Sequence, residues 1–456
     1  MIAGLRPLIT GAITVLLMAG LLLVPALING FPLIYSDTGT YIRSAFEGYV
    51  PVDRPYWYGP FLRWTSIGGW TLWGTAAAQT ILCACYLFGC TRQVLGTDRA
   101  PRIALLLTAV LTAGSSIGWY AGQLIPDIFT GIGSLAMYLL LRGTASRWIR
   151  PLHGLVIIAA CWMHLSNLLI LPLAGLSCLI IGGAHDAFRR RKVWSLAAVT
   201  AMAWFGLAFG NRLVDGRPYI TRSSHAFLMG RMIDMGMLKP YLDEHCPEEH
   251  FGLCAYADSL PTNGQDLLWS DNSPMVKQGG WDATREEYGR IVHGSIIEPR
   301  YMLWHVQGSL TATASLLGTW EIGKGLRSGW YRTPGSPPYA MIQARFPQHM
   351  PSYLHCMQNG GRGELDMRVP DLIYAIVLGL SVIGAVLLLG RQRHQASGRE
   401  GRVLLLFAIA TVIIGAWVCA TFSTVDSRYL GRDSWLLPFA LLLAWIGRDA
   451  RMPRRA

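Results

Sequence analysis

Charge is scarce in this sequence. Asp, Glu, Lys and Arg together supply 14% of its 456 residues while 52% are apolar, whereas ordinary soluble domains carry roughly 25% charged residues. That balance excludes a soluble cytosolic enzyme. The chain also lacks an internal repeat, a P-loop, a Gly-x-Gly-x-x-Gly phosphate cradle and a Gly-x-Ser-x-Gly nucleophile turn in a supporting context. These absences argue against ATP-driven transport and hydrolase chemistry. The net charge of +12 is not gathered into one patch, so nucleic acid is not an expected partner.

What the sequence does have is apolar runs near the length that spans a hydrocarbon core at about 1.5 Å per residue. Ten lie at approximately 8–29, 67–89, 103–121, 126–141, 152–166, 167–183, 195–213, 370–390, 403–422 and 433–447. The first exceeds the apolar core of a secretory signal and reads as a membrane helix. Assigning alternate connections to the cytoplasm places nineteen of the 39 Lys and Arg residues there, against only four of the 27 acids. Among these cations are Arg142 and Arg147, Arg391, Arg393 and Arg399, and Arg451, Arg454 and Arg455. The excess puts both termini in the cytoplasm, with the basic loops and tail facing anionic headgroups. The expected fold is an all-α polytopic membrane protein of about ten transmembrane helices.

Two segments leave the bilayer on the other side, residues 30–66 after the first run and 214–369 after the seventh. The chain therefore divides into a membrane module at 1–213, an outer insertion at 214–369, and three C-terminal helices with a basic tail at 370–456. The insertion is too long for a connection, and α-rich or mixed structure is expected there. Residues 222–236 read as an amphipathic helix, a lid or part of a small packed domain. Six of the nine cysteines fall in or beside apolar runs and read as packing residues. Cys246 and Cys254 fall in the insertion, where an oxidising compartment favours a disulfide. The alternative, a metal held by Cys246, His250 and Cys254, lacks a second ligand pair. Cys356 has no evident partner.

The first outer segment carries chemistry-bearing residues at short spacing. Asp37 comes within eight residues of Asn29, where the chain leaves the membrane, so its carboxylate lies near the boundary. Residues 39–48 read as an amphipathic helix with Tyr41, Ile42, Ala45 and Phe46 on one side. Arg54 and Pro55, followed by the aromatic run Tyr56, Trp57 and Tyr58, form a candidate clamp for a lipid phosphate. The bland alternative has Asp37 capping the helix that begins near Thr38, with Arg54 paired to Asp53.

In arrangement and residues, Asp37, Tyr41 and Arg54-Pro55 resemble the start of the GT-C superfamily of integral-membrane glycosyltransferases, particularly protein O-mannosyltransferases and the aminoarabinose transferases of lipid A. In that family an outer loop with an acid follows the first span, then an aromatic or small-residue helix, then a Lys/Arg-Pro pair. Seven spans before a large outer insertion extend the similarity over roughly the first 215 residues, and more loosely beyond. The chain departs from the pattern at Thr38, where relatives often carry a second acid. The resemblance implies transfer of a sugar from a polyprenyl-phosphate donor to a glycan, lipid or protein acceptor on the outer face, with inversion, in a bacterial inner (plasma) membrane. Asp37 would be the general base and Arg54 would stabilise the departing phosphate. No cofactor is expected, and Thr38 leaves the role of a divalent cation open.

Further candidates for substrate contact are Asp127 at the start of the fourth run, His164 and Asn167 at the turn between the fifth and sixth, and Tyr58. Arg428, Tyr429 and Arg432 lie between the last two runs. For each a structural alternative exists: a helix-start acid, a capped turn, and ion pairing of the two arginines with Asp426 and Asp433. The competing functions are a lipid or glycan transporter or flippase, and an outer-face glycan ligase or polymerase. A transporter needs a path through the midplane, whereas a transferase needs Asp37 and Arg54 on one outer cavity.

Overall fold

The computed structural model describes residues 2–144, 148–183, 189–326, 329–361, 363–391 and 398–448. Arg147, Arg393, Arg451, Arg454 and Arg455 lie outside the described residues, as does most of the basic tail. The described chain is helical throughout, and its only extended pairings are two isolated bridges, Leu33 with Gln123 and Gly361 with Gly363.

Each of the ten apolar runs falls on helix. Four helices, Leu72–Leu95, Arg190–Asp215, Arg368–Arg391 and Arg399–Phe422, are long and apolar enough to cross a membrane. Others are shorter because the chain breaks them. The run at 103–121, for example, divides into Ala100–Gly114 and Ile117–Ala121, with Ser115 in an extended conformation between them. Ile128–Arg142 is the hub: every residue from Ile128 to Leu141 is buried, as suits a helix that is apolar on all sides. Arg190–Asp215 turns outward instead, leaving Trp194, Met202, Phe205 and Phe209 exposed. In water such a surface forfeits about 25 cal/mol per Å² of apolar area, a penalty that lipid removes. The chain is therefore a membrane protein.

Charged groups cluster at both ends of the bundle. At one end Arg142 forms an ion pair with Glu400, Tyr138 Oη donates to Glu400 Oε2 at 3.2 Å, and Arg399 Nη2 donates to the Gly182 carbonyl at 3.1 Å. Three connections that the sequence assigns to one face thus meet. Asp37, Asp127 and Arg428 gather at the opposite end.

The insertion is not one unit. Residues between Ala226 and Tyr301 share a core of their own, around Met229, Leu242, Leu267 and Ile291. The Cys246–Cys254 disulfide is formed on its margin, and Cys356 is free and buried. Tyr331, Ile342, Phe346 and Tyr353 instead pack into the core of the membrane bundle. Gln358 explains why this second part cannot detach: its Nε2 donates to the carbonyls of Ile34 (3.0 Å) and Leu326 (3.1 Å), and its backbone N–H donates to Asn29 Oδ1 (2.9 Å). Separation would leave those buried polar groups unpaired. The two helices expected near the interface form at Thr38–Glu47 and Ser224–Asp234.

Candidate active site

The loop that carries Asp37 is pinned by backbone before any charge acts on it. Leu33 N–H donates to the Gly122 carbonyl at 3.0 Å and Leu124 N–H returns a bond to Leu33 at 2.8 Å. Thr38 completes the pin. Its buried hydroxyl donates to the Leu124 carbonyl at 3.2 Å and accepts from Tyr35 N–H at 3.0 Å. The position has backbone partners and no exposure, so a carboxylate there would lose its hydration against a carbonyl. Thr38→Asp is expected to destabilise the fold by about 1–3 kcal/mol while Thr38→Ser stays near wild type, as read from melting temperatures in detergent.

The following helix, Thr38–Glu47, is held from two sides. Gly39 lies so close to the backbone of Pro337 that a Cβ would overlap it. Tyr41 meets Tyr58 edge to face at 4.8 Å between ring centres, and Tyr58 Oη donates to Gln79 Oε1 at 2.6 Å. Gln79 Nε2 in turn binds the carbonyls of Ala121 (3.1 Å) and Gln123 (2.8 Å).

Asp37 makes no cap bond to the helix it precedes. Its carboxylate pairs with Arg54 through one oxygen and with Arg428 Nη1 through the other, at 3.1 Å. Arg54 also receives Asp53, whose Oδ2 lies 2.9 Å from its Nε. The pairing with Asp53 that the sequence offered therefore forms, and Asp37 joins it. Burial pushes the Asp37 carboxyl upward, but the guanidinium groups of Arg54 and Arg428 outweigh it and hold the carboxyl well below the usual range. Burial disfavours the charged form of Arg54, and the carboxylates of Asp37 and Asp53 overcome that too, pushing it up.

Among the described residues, the alternative pairing of Arg428 and Arg432 with Asp426 and Asp433 does not form. Asp426 Oδ1 instead caps the helix Ser427–Ser434 by accepting from Arg428 N–H at 3.0 Å, and Tyr120 Oη holds the Arg428 carbonyl at 3.0 Å. The Arg428 guanidinium lies over Tyr35, 4.6 Å from the ring centre, with its Nε 3.8 Å from Asp127 Oδ1. Arg432 is fully buried one turn on. It donates to His164 Nε2 (3.0 Å), Ser166 Oγ (3.0 Å) and Cys419 Sγ (2.9 Å), and lies 4.0 Å from Asp127 Oδ1. Since Arg432 donates to Nε2, the His164 proton resides on Nδ1, facing Ser166 Oγ at 2.9 Å. Asp433 is buried, and among the described residues neither of its oxygens finds a hydrogen-bond donor.

A cavity of about 910 Å³ opens beside this cluster, lined among others by Asp37, Tyr41, Arg54, His164, Arg428 and Tyr429. Four expected contacts do not line it. Tyr58 and Asp127 lie behind its wall, Arg432 is covered, and Asn167 is spent on the turn, accepting from Thr130 Oγ1 and donating to the Ala160 carbonyl, each at 2.9 Å. Tyr58, Asp127 and Arg432 each touch a lining residue, namely Tyr41, Arg428 and His164. The helix that the sequence offered as a lid lends Phe227 to another wall, beside Trp269, Trp281 and, from farther on, Trp330, which sequence reasoning did not single out. No local signal separated these aromatics from ordinary packing. A third side is apolar, with Leu168, Leu169, Trp204, Val418 and Phe422 drawn from three apolar helices. Among the described residues no group of three or more His, Cys, Asp or Glu side chains is placed to hold a metal ion.

The depressed carboxyl has a pH consequence. Because its folded value lies below the ordinary 3.8, Asp37 contributes stability that is present above that value and lost as pH falls through the interval toward the folded one. Wild type is expected to melt above Asp37→Asn at pH 6, with the gap narrowing by pH 3. A gap that stays constant would contradict the ion pairs. No family model, curated protein or solved structure matches this chain.

Proposed function

We propose that this chain is a membrane glycosyltransferase that moves a sugar from a polyprenyl-phosphate donor to an extracytoplasmic acceptor in a single inverting displacement. The observation that carries the reading is the juxtaposition in one cavity of a carboxylate, two guanidinium groups and an apolar wall. Arg54 and Arg428 suit a phosphate, the apolar side between the Asn167–Ile181, Arg190–Asp215 and Arg399–Phe422 helices suits a prenyl chain, and the volume suits a sugar phosphate. The ten spans, the GT-C-like seven-helix module and the inner-membrane orientation belong to the same proposal. The charged cluster lies opposite the Arg142–Glu400 end, and that end takes the cytoplasmic place by the excess of cations.

A carboxylate held by two arginines is a weak base, and the donor supplies the remedy. Its phosphate competes for the same guanidinium groups, so donor binding loosens Asp37 and raises its proton affinity where the acceptor arrives. The acceptor hydroxyl then passes its proton to Asp37 as its oxygen bonds to the anomeric carbon. The bond from that carbon to the phosphate oxygen breaks, and polyprenyl phosphate leaves with the electron pair, its charge met by Arg54 and Arg428. No covalent intermediate is needed. The test supplies purified protein with radiolabelled polyprenyl-phosphate hexoses and membrane-derived acceptors. Time-dependent release of polyprenyl phosphate with labelled acceptor supports the reading, while sugar-independent movement of the lipid between leaflets would favour the flippase alternative.

A further inference from the structure

The sequence places 214–369 outside the bilayer and reads only 222–236 as a helix that could lie at its surface, yet a second helix there is built for such surroundings. Pro299–Leu317 packs one side on the apolar helix Arg399–Phe422, burying Ala312, Thr313 and Leu316. Ser309 Oγ is 2.6 Å from Thr421 Oγ1 and accepts from Trp417 Nε1 at 3.1 Å. The adjoining side exposes Met302, Leu303, Val306 and Leu310 at helical spacing, with Leu303 64% and Leu310 63% exposed. From Tyr301 to Trp320 the chain has no Asp, Glu, Lys or Arg. Its one histidine, His305, turns inward to Ser295 Oγ at 2.9 Å.

Leaving such side chains in water forgoes about 1.5–3 kcal/mol each relative to burial. The stripe also does not end at the helix. It continues onto exposed Ile413, Trp417 and Phe422 of the adjoining helix, so the two present one uncharged surface. Arg300 stands at one end, and at the other Trp320 lies against Gly379 of Arg368–Arg391. This is the order of an interfacial element, with a charged or aromatic residue at each margin.

We propose that Pro299–Leu317 lies in the outer leaflet, with Met302, Leu303, Val306 and Leu310 in contact with lipid acyl chains. The inference rests on the chain being a membrane protein and not on sugar transfer. Tyr301, at the start of this helix, belongs to the separate core of the insertion. The helix thus ties that core to the bilayer beside Arg399–Phe422, which lends Val418, Cys419 and Phe422 to the cavity. The aromatic wall of Phe227 and Trp281 is thereby held at a fixed height above the membrane.

The test uses the full chain in vesicles of phosphatidylcholine and phosphatidylglycerol, carrying Leu303→Cys or Leu310→Cys, with Asp258→Cys as the aqueous reference. Asp258 is 96% exposed. A charged, membrane-impermeant maleimide is applied and modification is read site by site by peptide mass, which keeps the native thiols separate. Positions 303 and 310 are expected to react at least about tenfold more slowly than 258, because the reagent requires a hydrated thiolate. Nitroxides on the same cysteines are expected to collide with dissolved oxygen in preference to a water-soluble nickel chelate. Equal maleimide rates at 258 and 310 overturn the proposal. So does protection accompanied by dipolar broadening between nitroxides, which would assign the face to a second copy of the chain.

Discussion

Asp37→Asn is expected to lower sugar transfer by about 10²–10⁴-fold, the usual contribution of a positioned base, while donor binding is kept or strengthened. The two effects separate because Asp37 and the donor phosphate share Arg54 and Arg428. Removing the carboxylate releases both guanidinium groups to the phosphate, so the loss falls on kcat and not on KM. A residue that merely held the loop together would damage both. The variant also leaves two largely buried cations with one acid fewer each, Arg54 keeping Asp53 and Arg428 keeping Asp127, so turnover has to be normalised to protein that elutes as a single folded species. Wild type offers an independent reading. The acid limb of kcat should lie at higher pH than that of kcat/KM, because bound phosphate weakens the two ion pairs that depress the free carboxyl. Coincident limbs, or full turnover in Asp37→Asn, would remove the general base from the mechanism.

Arg428→Ala carries the second large effect. Its guanidinium reaches Asp37 with Nη1 and Asp127 with Nε, and lies over Tyr35. Truncation leaves a buried acid on each side, for which about 3–5 kcal/mol of destabilisation is expected, together with loss of donor binding. Arg428→Lys should recover only part of either property, since one ammonium cannot serve two carboxylates as a planar fork does. The pairing also predicts non-additivity. Asp37→Asn combined with Arg428→Ala should cost less than the two single losses together, by about 0.5–3 kcal/mol, because the double variant removes both members of one pair. Melting curves of the four proteins decide this, and strict additivity would mean that the contact carries no energy.

The legible parts of this protein are those fixed by local composition. Apolar runs and cation spacing located helices at all ten stretches and grouped Arg142, Arg399 and Glu400 at one end, because hydropathy and charge placement act residue by residue against the solvent. Asp37, Tyr41 and Arg54 were legible as a cluster since only 17 residues separate the first from the last. The disulfide was legible from two cysteines in a short outer loop. The division of the insertion was not, because nothing near Gln358 in the chain reveals that its amide will be spent on Ile34 and Leu326.

What the sequence determined by itself, then, is a helical membrane chain with an acid and an arginine crowded at one boundary. The tertiary structure decided which partners they take. Arg428 stands 391 positions from Asp37, and at such a separation no pattern of spacing bears on whether an arginine caps its own turn or crosses to another carboxylate. That choice follows from the packing of Ser427–Ser434 against Tyr120 and Asp127, where a guanidinium with little access to water is drawn to the acids within reach.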